Sequence, residues 1–410
     1  MRPSFVTTAP LLRRERTRIR YACGVVTVLL ITASLQLLAT GAPASAEQRR
    51  RHDVRVTVDV LPPVAQPGRE PADPVRGAAL VAHVAPASAG SEVVFERAVR
   101  GGGWRVVGRD VQDADGTATL AVRRGVYRVS TEAGGVTWTS RRVQARRWVP
   151  DFEDTFSGRR LDRTVWNDQD REQEADLAPR TCALVDAGAR SVGGGVLHLG
   201  VAPDPARAGQ PCDWDWKGLS GRSSFLLTTQ VATEHTYLTQ YGIAAARIKP
   251  QRADGMHSAF WMLPQDSRFY TDDPARGAEI DVMEFWGDTG RGAETIGSFV
   301  TWHGPGWSSL SLGGKFPSAR RTLGPDREWW QEFHVFSVEW TPEEYVFRVD
   351  GREHYRESRA VSHVPGYLIL SMLAADYELD DLDTNDLDDA AEVDWVQVYE
   401  GATVQAGRPG

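Results

Sequence analysis

The sequence predicts an all-β protein with two β-sandwich regions in series, and three observations predict it. Apolar and polar residues alternate over short stretches: Val54, Val56, Val58 and Val60 stand against Arg55, Thr57 and Asp59, the period of a half-buried strand. Such stretches recur along the chain with turn signals between them, including Gly101-Gly-Gly103 and Asp113-Ala-Asp-Gly116. No long segment places apolar residues at a helical period. At 410 residues the chain is long enough for two domains and a leader.

Residues 1–46 read as an export signal. Arg13, Arg14, Arg16, Arg18 and Arg20 precede an apolar run from Tyr21 to about Ala39, and small residues end in Ala44-Ser-Ala46, an A-x-A cleavage pattern. An uncleaved membrane anchor is the alternative reading of that run. Residues 47–53 form a short charged linker. Strands are then expected at Val54–Val60, Ala78–Val84, Glu92–Ala98, Trp104–Val111, Thr117–Val122, Gly125–Thr131 and Thr137–Val143. About seven short strands over residues 54–148 suggest a small Ig-like sandwich. That region carries no catalytic constellation, so it reads as a spacer dispensable for the chemistry, with a carbohydrate-binding module as the alternative.

Trp148-Val-Pro150 marks the boundary to a second region over residues 150–402. Strands are expected there at Val196–Val201, Gly242–Lys249, Ser258–Leu263, Glu279–Phe285, Ile296–Trp302, His334–Trp340, Tyr345–Val349, Tyr367–Leu373 and Val393–Glu400. Many spaced strands without helices call for a two-sheet sandwich. Asp376–Glu392 holds a run of Asp with little apolar content and reads as a solvated loop, with a calcium site as the second reading.

The net charge of −8 argues against a nucleic-acid partner. Cys23 falls in the leader, which leaves Cys182 and Cys212 as an even pair in an oxidising compartment. A disulfide between them is the expectation and two free thiols the alternative. The 14 Trp residues serve a core, but flat rings also stack on sugar faces in carbohydrate grooves.

The most informative segment is Gly277-Ala-Glu-Ile-Asp-Val-Met-Glu-Phe-Trp-Gly287. In a strand Glu279 and Asp281 share one face while Ile280 and Val282 point into a core. Regular alternation would send Glu284 to the buried face, where an unpaired carboxylate costs several kcal/mol. One extra residue in a β-bulge near Val282–Met283 returns it to the polar face. The two glutamate Cα atoms then lie about four strand steps apart, roughly 13 Å. Side chains leaning together close that gap to about 5–6 Å, near the separation at which a retaining glycosidase pairs a nucleophile with an acid/base. A solvated acidic face and a calcium site are the competing readings.

The run Glu-Ile-Asp-Val-Met-Glu at 279–284 resembles the active-site signature of glycoside hydrolase family 16, in the six-residue bulged form of laminarinases and agarases. Other segments resemble the family in the right order. They are Phe152-Glu-Asp-Thr-Phe-Ser-Gly158, Leu161-Asp-Arg-Thr-Val-Trp166, Ala246-Arg-Ile-Lys249, Ala259-Phe-Trp-Met-Leu-Pro264, Phe333 to Pro342, Phe347-Arg-Val-Asp-Gly351 and Val393 to Tyr399. The resemblance implies a β-jelly-roll sandwich with the acids on its concave face. It implies an endo-acting retaining hydrolase of a β-1,3- or β-1,3/1,4-glucan, in which Glu279 is the nucleophile, Glu284 the acid/base and Asp281 the residue that orients and tunes Glu279. The same acids would serve a transglycosylase, and a non-catalytic glycan-binding protein is the rival from another class.

Trp261, Trp286 and His303 are the substrate-binding candidates around the acids. His257 joins them through a departure: Asp254-Gly-Met-His-Ser258 stands where laminarinases typically carry Gly-x-Gly-Leu-Trp-Pro, with His257 at the tryptophan's place. No organic or redox cofactor is implied, and a structural calcium is compatible with the acid-rich segments. The expected partner is a polysaccharide, with no nucleic acid and no stable membrane insertion once the leader is removed. The expected product is a secreted monomer.

Overall fold

The computed structural model describes residues 54–169, 180–265, 273–287, 295–303, 309–316 and 329–404. The expected leader 1–46 and the whole of the expected 47–53 linker therefore lie outside the described residues. Among those described, no helix is long and apolar enough to cross a membrane.

The first region is built from two small sheets. Arg55–Leu61, Ala78–Ala85 and Thr117–Val122 form one. The other runs in the order Trp104–Val111, Glu92–Ala98, Gly125–Ala133 and Val136–Thr139, with Val143–Ala145 also pairing to Gly125–Ala133. Leu80, Ala82 and Val84 from one sheet pack against Val93, Phe95, Tyr127 and Val129 from the other. The single strand expected at Thr137–Val143 is two strands. Ser140 breaks it by donating through its hydroxyl to the Arg141 carbonyl and accepting the Val129 N–H.

The second region is a sandwich of two large, mainly antiparallel sheets. The first sheet has as its main path Asn167–Asp168, Leu226–Ala232, Gly366–Leu373, His257–Pro264, Glu279–Phe285, Ile296–His303 and Ser309–Phe316. The second follows Arg190–Gly193, Val196–Leu199, Ala391–Tyr399, Gly242–Lys249, His334–Trp340, Tyr345–Val349 and Arg352–Glu357. The chain crosses repeatedly between the sheets, as in a jelly roll. Phe260, Met262, Ile280, Val282 and Leu370 of the first sheet meet Ala244, Ala246, Phe336, Val338 and Val396 of the second in one core. Burying each large side chain stabilises by about 1.5–3 kcal/mol.

Leu226–Ala232 is a central strand without a clear sequence signal, because its middle is Thr-Thr-Gln. Those polar groups are fully buried and satisfied by partners distant in sequence. The Thr229 hydroxyl donates to the Ala189 carbonyl at 2.9 Å, and the Gln230 amide donates to Gln169 Oε1 at 3.1 Å. Burial without such partners would cost each group a few kcal/mol.

The spacer reading of residues 54–148 requires correction, because this region is sutured to the second sheet. Residues 62–77, between its first two strands, lie across that sheet's outer face. Arg247 is almost wholly buried there. Its guanidinium donates to the carbonyls of Gln66 at 2.8 Å, Gly68 at 2.9 Å and Glu70 at 2.7 Å, and to Asp394 Oδ2 at 2.7 Å. Gly68 and Phe333 exchange two backbone hydrogen bonds of 2.9 Å. Val64, Ala65 and Ala79 pack on Ile243, Ala245, Val335, Trp395 and Tyr399. Arg352 reaches the other way, pairing with Asp110 and donating to the Thr117 carbonyl at 2.7 Å. Gly242–Lys249 is buried on both faces because both are covered.

Cys182 and Cys212 are joined, closing a segment of sequence separation 30. The bridge anchors the hairpin Pro211–Trp216 and Leu219–Ser224. Replacing both cysteines with serine is expected to cost about 3 kcal/mol through loop closure in the unfolded chain. The readout is the denaturant midpoint of the oxidised protein against the variant, and an unchanged midpoint would refute the loop-closure effect.

Candidate active site

The three acids lie on one face of the strand Glu279–Phe285, and the register shows how. Glu279 pairs with Thr301, Asp281 with Phe299 and Glu284 with Gly297. The partners step by two while the acids step by two and then three, so one residue is absorbed between Asp281 and Glu284. On the other side Trp261 pairs with Asp281 and Ala259 with Glu284, with the same shift. Side chains directly across a ladder share a face, so the bulge at Val282–Met283 places all three carboxylates together. Ile280, Val282, Met283 and Phe285 are buried in the sandwich core.

Crowding and burial set the electrostatics. Burial, then the charges of Glu279 and Glu284, push the Asp281 carboxyl well above its ordinary range. Burial pushes Glu284 up to about 7, with Glu279 and Glu378 adding to the rise while His257 and Lys315 oppose it. Two neighbouring acids thus keep their protons where exposed carboxyls would lose them, which is how a carboxylic acid becomes a proton donor near neutral pH.

Trp261 is mostly buried, and its indole N–H donates to Ser371 Oγ at 3.1 Å. It lies across the ladder from Asp281 and forms the floor beside the acids. Trp286 is half-buried next to Glu284. The Lys315 ammonium sits 3.7 Å from its ring centroid, Phe299 meets it edge-on, and the Tyr377 hydroxyl accepts its N–H. His257 is buried, with Nδ1 2.6 Å from Glu378 Oε1, so its ring is engaged by protein and offers no open stacking face. Burial works against a charge on His257, but Glu378 and Glu284 outweigh it and raise its pKa. His303 ends the strand Ile296–His303, and its side chain lies outside the described residues. Trp302 points to the opposite side and packs against the core.

Sequence reasoning missed Tyr377, Glu378, Lys315 and Trp216. The solvated-loop reading of Asp376–Glu392 needs correction at its start. Asp376 and Glu378 are buried in a short turn of 3-10 helix that closes on the acids, and only from Asp380 is the segment open to water. Trp216, at the tip of the disulfide-anchored hairpin, stacks on Tyr377 with ring centroids 5.2 Å apart. A pocket beside Glu284 is lined by Asp254, Met256, Trp286, Lys315, Tyr377 and Glu378. Among the described residues, no group of three or more His, Cys, Asp or Glu is arranged to hold a metal ion.

Gly297, across from Glu284, carries a signal that only packing reveals. A Cβ there would meet Phe299 at 2.6 Å and the Trp286 ring at 2.8 Å. Gly297→Ala is expected to displace Trp286 at a cost of about 1–3 kcal/mol in overpacking. Intrinsic fluorescence should shift and KM should rise on polymeric substrate; an unchanged emission spectrum would show that the ring does not depend on this gap.

The family model described as Glycosyl hydrolases family 16 matches residues 222–397, which include the three acids. The chain is 30% identical over 188 residues to the glucan endo-1,3-beta-glucosidase A1 of Niallia circulans, covering 42% of this chain and 26% of that protein. It is 29% identical over 170 residues to a beta-glucanase of Rhodothermus marinus, covering 40% of this chain and 49% of that one. The matched part thus spans half or less of these relatives' length. Among solved structures, the catalytic domain of an endo-1,3-beta-glucanase (laminarinase) from Thermotoga petrophila superimposes with a TM-score of 0.47 at 21% identity, covering 63% of this chain and 100% of that one. Over residues 222–397, which hold the bulged strand and its acids, this chain is similar to glycosyl hydrolases family 16.

Proposed function

We propose that the protein is a secreted, endo-acting, retaining β-glucan hydrolase. The observation that carries the reading is the bulge that brings Glu279, Asp281 and Glu284 onto one face while burial keeps Glu284 protonated up to about 7. Glu279 attacks the anomeric carbon as Glu284 delivers its proton to the leaving glycosidic oxygen. The carbon–oxygen bond to the leaving sugar breaks as the bond to Glu279 forms. Glu284, now ionised, takes a proton from the incoming water, whose oxygen displaces Glu279 with net retention. Asp281 lies between them on the same face, where burial and the two neighbouring acids favour its protonated form. The name of one relative, a glucan endo-1,3-beta-glucosidase, supports a β-1,3-glucan as substrate, and that of the other, a beta-glucanase, supports a β-glucan without specifying the linkage.

The test is a panel of soluble β-glucans followed by reducing-end release, product chromatography and NMR of the first anomer formed. Oligosaccharides of several lengths with the β anomer appearing first are expected. Inverted product, or no release from any β-glucan, overturns the reading.

The pH dependence has a defined sign. The first step needs Glu284 protonated, so kcat/KM should fall as pH rises through about 7. A basic limb near the ordinary carboxylate range would contradict the burial of this group.

A further inference from the structure

Outside the acid strand, the buried ionisable pair His257 and Glu378 stands where the family pattern has an indole. Their polar atoms are 2.6 Å apart, and both side chains are more than nine-tenths buried. The sequence separates them by 121 positions, and the fold closes that distance in two steps. His257 pairs across the ladder with Leu373, the last residue of the strand Gly366–Leu373. The turn that follows folds back over it and is pinned at both ends. Glu378 Oε2 accepts the Ala375 N–H at 2.7 Å, and Asp376 Oδ2 accepts the Thr181 hydroxyl at 2.6 Å, one residue from the disulfide-bonded Cys182. Glu378 is therefore fixed on its imidazole partner by packing that owes nothing to substrate. His257 in turn lies on the acid face two residues before Ala259, the ladder partner of Glu284.

We propose that Glu378, acting through His257, is a positioning residue for Glu284, which lets that group both give and recover a proton within one turnover. The inference rests on the reading of Glu284 as the acid/base. Glu284 sits among Glu279 and Asp281 on its own strand, His257 on the neighbouring strand, Tyr377 and Glu378 in the turn, and Lys315 from the strand Ser309–Phe316. Three of these are carboxyl groups, so a Glu284 that has just lost its proton stands in a buried, acid-rich place. A protonated imidazole on the same face stabilises that ionised state, and the Glu378 carboxylate favours the protonated imidazole against the cost of burial. Without the pair, Glu284 would hold its proton too tightly to act as base in the second step. The indole found at this place in the family pattern cannot carry that charge, so this device belongs to the His257–Glu378 combination.

The experiment uses the full chain with Glu378→Gln and His257→Gln, each checked for native packing by near-ultraviolet circular dichroism. Two readouts are taken: the pH profile of kcat/KM, and an infrared titration of the carboxyl stretch with Glu284→Gln identifying the Glu284 band. In His257→Gln both the basic limb and the band midpoint should move up by about one pH unit. In Glu378→Gln, which leaves an acceptor for the Ala375 N–H, they should move the same way by less, because one raising and one lowering charge are lost together. Unchanged midpoints in either folded variant overturn the proposal, as does a band that moves while the basic limb stays. An inactive wild-type enzyme would fail the hydrolase reading instead, and the infrared titration would still decide whether the pair controls Glu284.

Discussion

Glu279→Ala is expected to lose turnover by several orders of magnitude and to regain it in azide, with glycosyl azide of inverted configuration as the product. The reason is the site's geometry: the variant leaves a gap on the acid face below the anomeric carbon, which a small anion fills, while Glu284 still protonates the leaving oxygen. Glu284→Ala should fail differently. Loss of general acid catalysis costs about 10²–10⁴-fold on polymer and least on aryl glycosides whose leaving group needs no proton. Azide rescue there should give retained product, because Glu279 still forms the covalent intermediate. Asp281→Asn should be the mildest of the three. Burial and its two neighbours favour the protonated form of Asp281, so an uncharged amide of similar shape changes that face least. Retained azide product from Glu279→Ala, or Asp281→Asn as the most damaging change, would reverse the roles assigned to these residues.

Arg247→Ala is expected to destabilise the protein by about 3–5 kcal/mol, since it leaves Asp394 and three backbone carbonyls buried with their donor removed. The effect should appear as a lower urea midpoint with catalytic constants per folded molecule unchanged, because Arg247 lies on the sheet opposite the acids. A fragment beginning near Val149 should suffer more. It exposes Ile243, Val335, Trp395 and Tyr399 together, a contiguous apolar face of the kind that drives association. The first region is then expected to be required for stability. A fragment that unfolds at the same urea concentration as the full chain would refute this, and so would an unaltered midpoint for Arg247→Ala.

Parity made the acid strand legible. In Glu-Ile-Asp-Val-Met-Glu a buried carboxylate is too costly, so a bulge had to follow from the residue order, and the ladder on both sides contains it. The strands with clean apolar patterning, such as His334–Trp340 and Tyr345–Val349, were legible for the same local reason. Leu226–Ala232 was not, because its Thr-Thr-Gln core is paid for by partners at Ala189 and Gln169, far away in sequence.

The sequence by itself determined an all-β chain, the bulge and the face on which Glu279, Asp281 and Glu284 stand, and it offered Cys182 and Cys212 as the expected disulfide pair. Each follows from side-chain period, from the cost of burying a charge, or from residue count, all of which act over a few neighbours or on composition alone. Only the tertiary structure decided that Asp376–Glu378 turns inward, that Glu378 meets His257 across 121 positions, and that residues 62–77 cover the second sheet around Arg247. A run of acids reads as solvated wherever no partner is visible nearby. Its burial becomes favourable only when a distant cation, donor or backbone amide is brought within hydrogen-bond reach, and that depends on how the strands are ordered rather than on any local pattern.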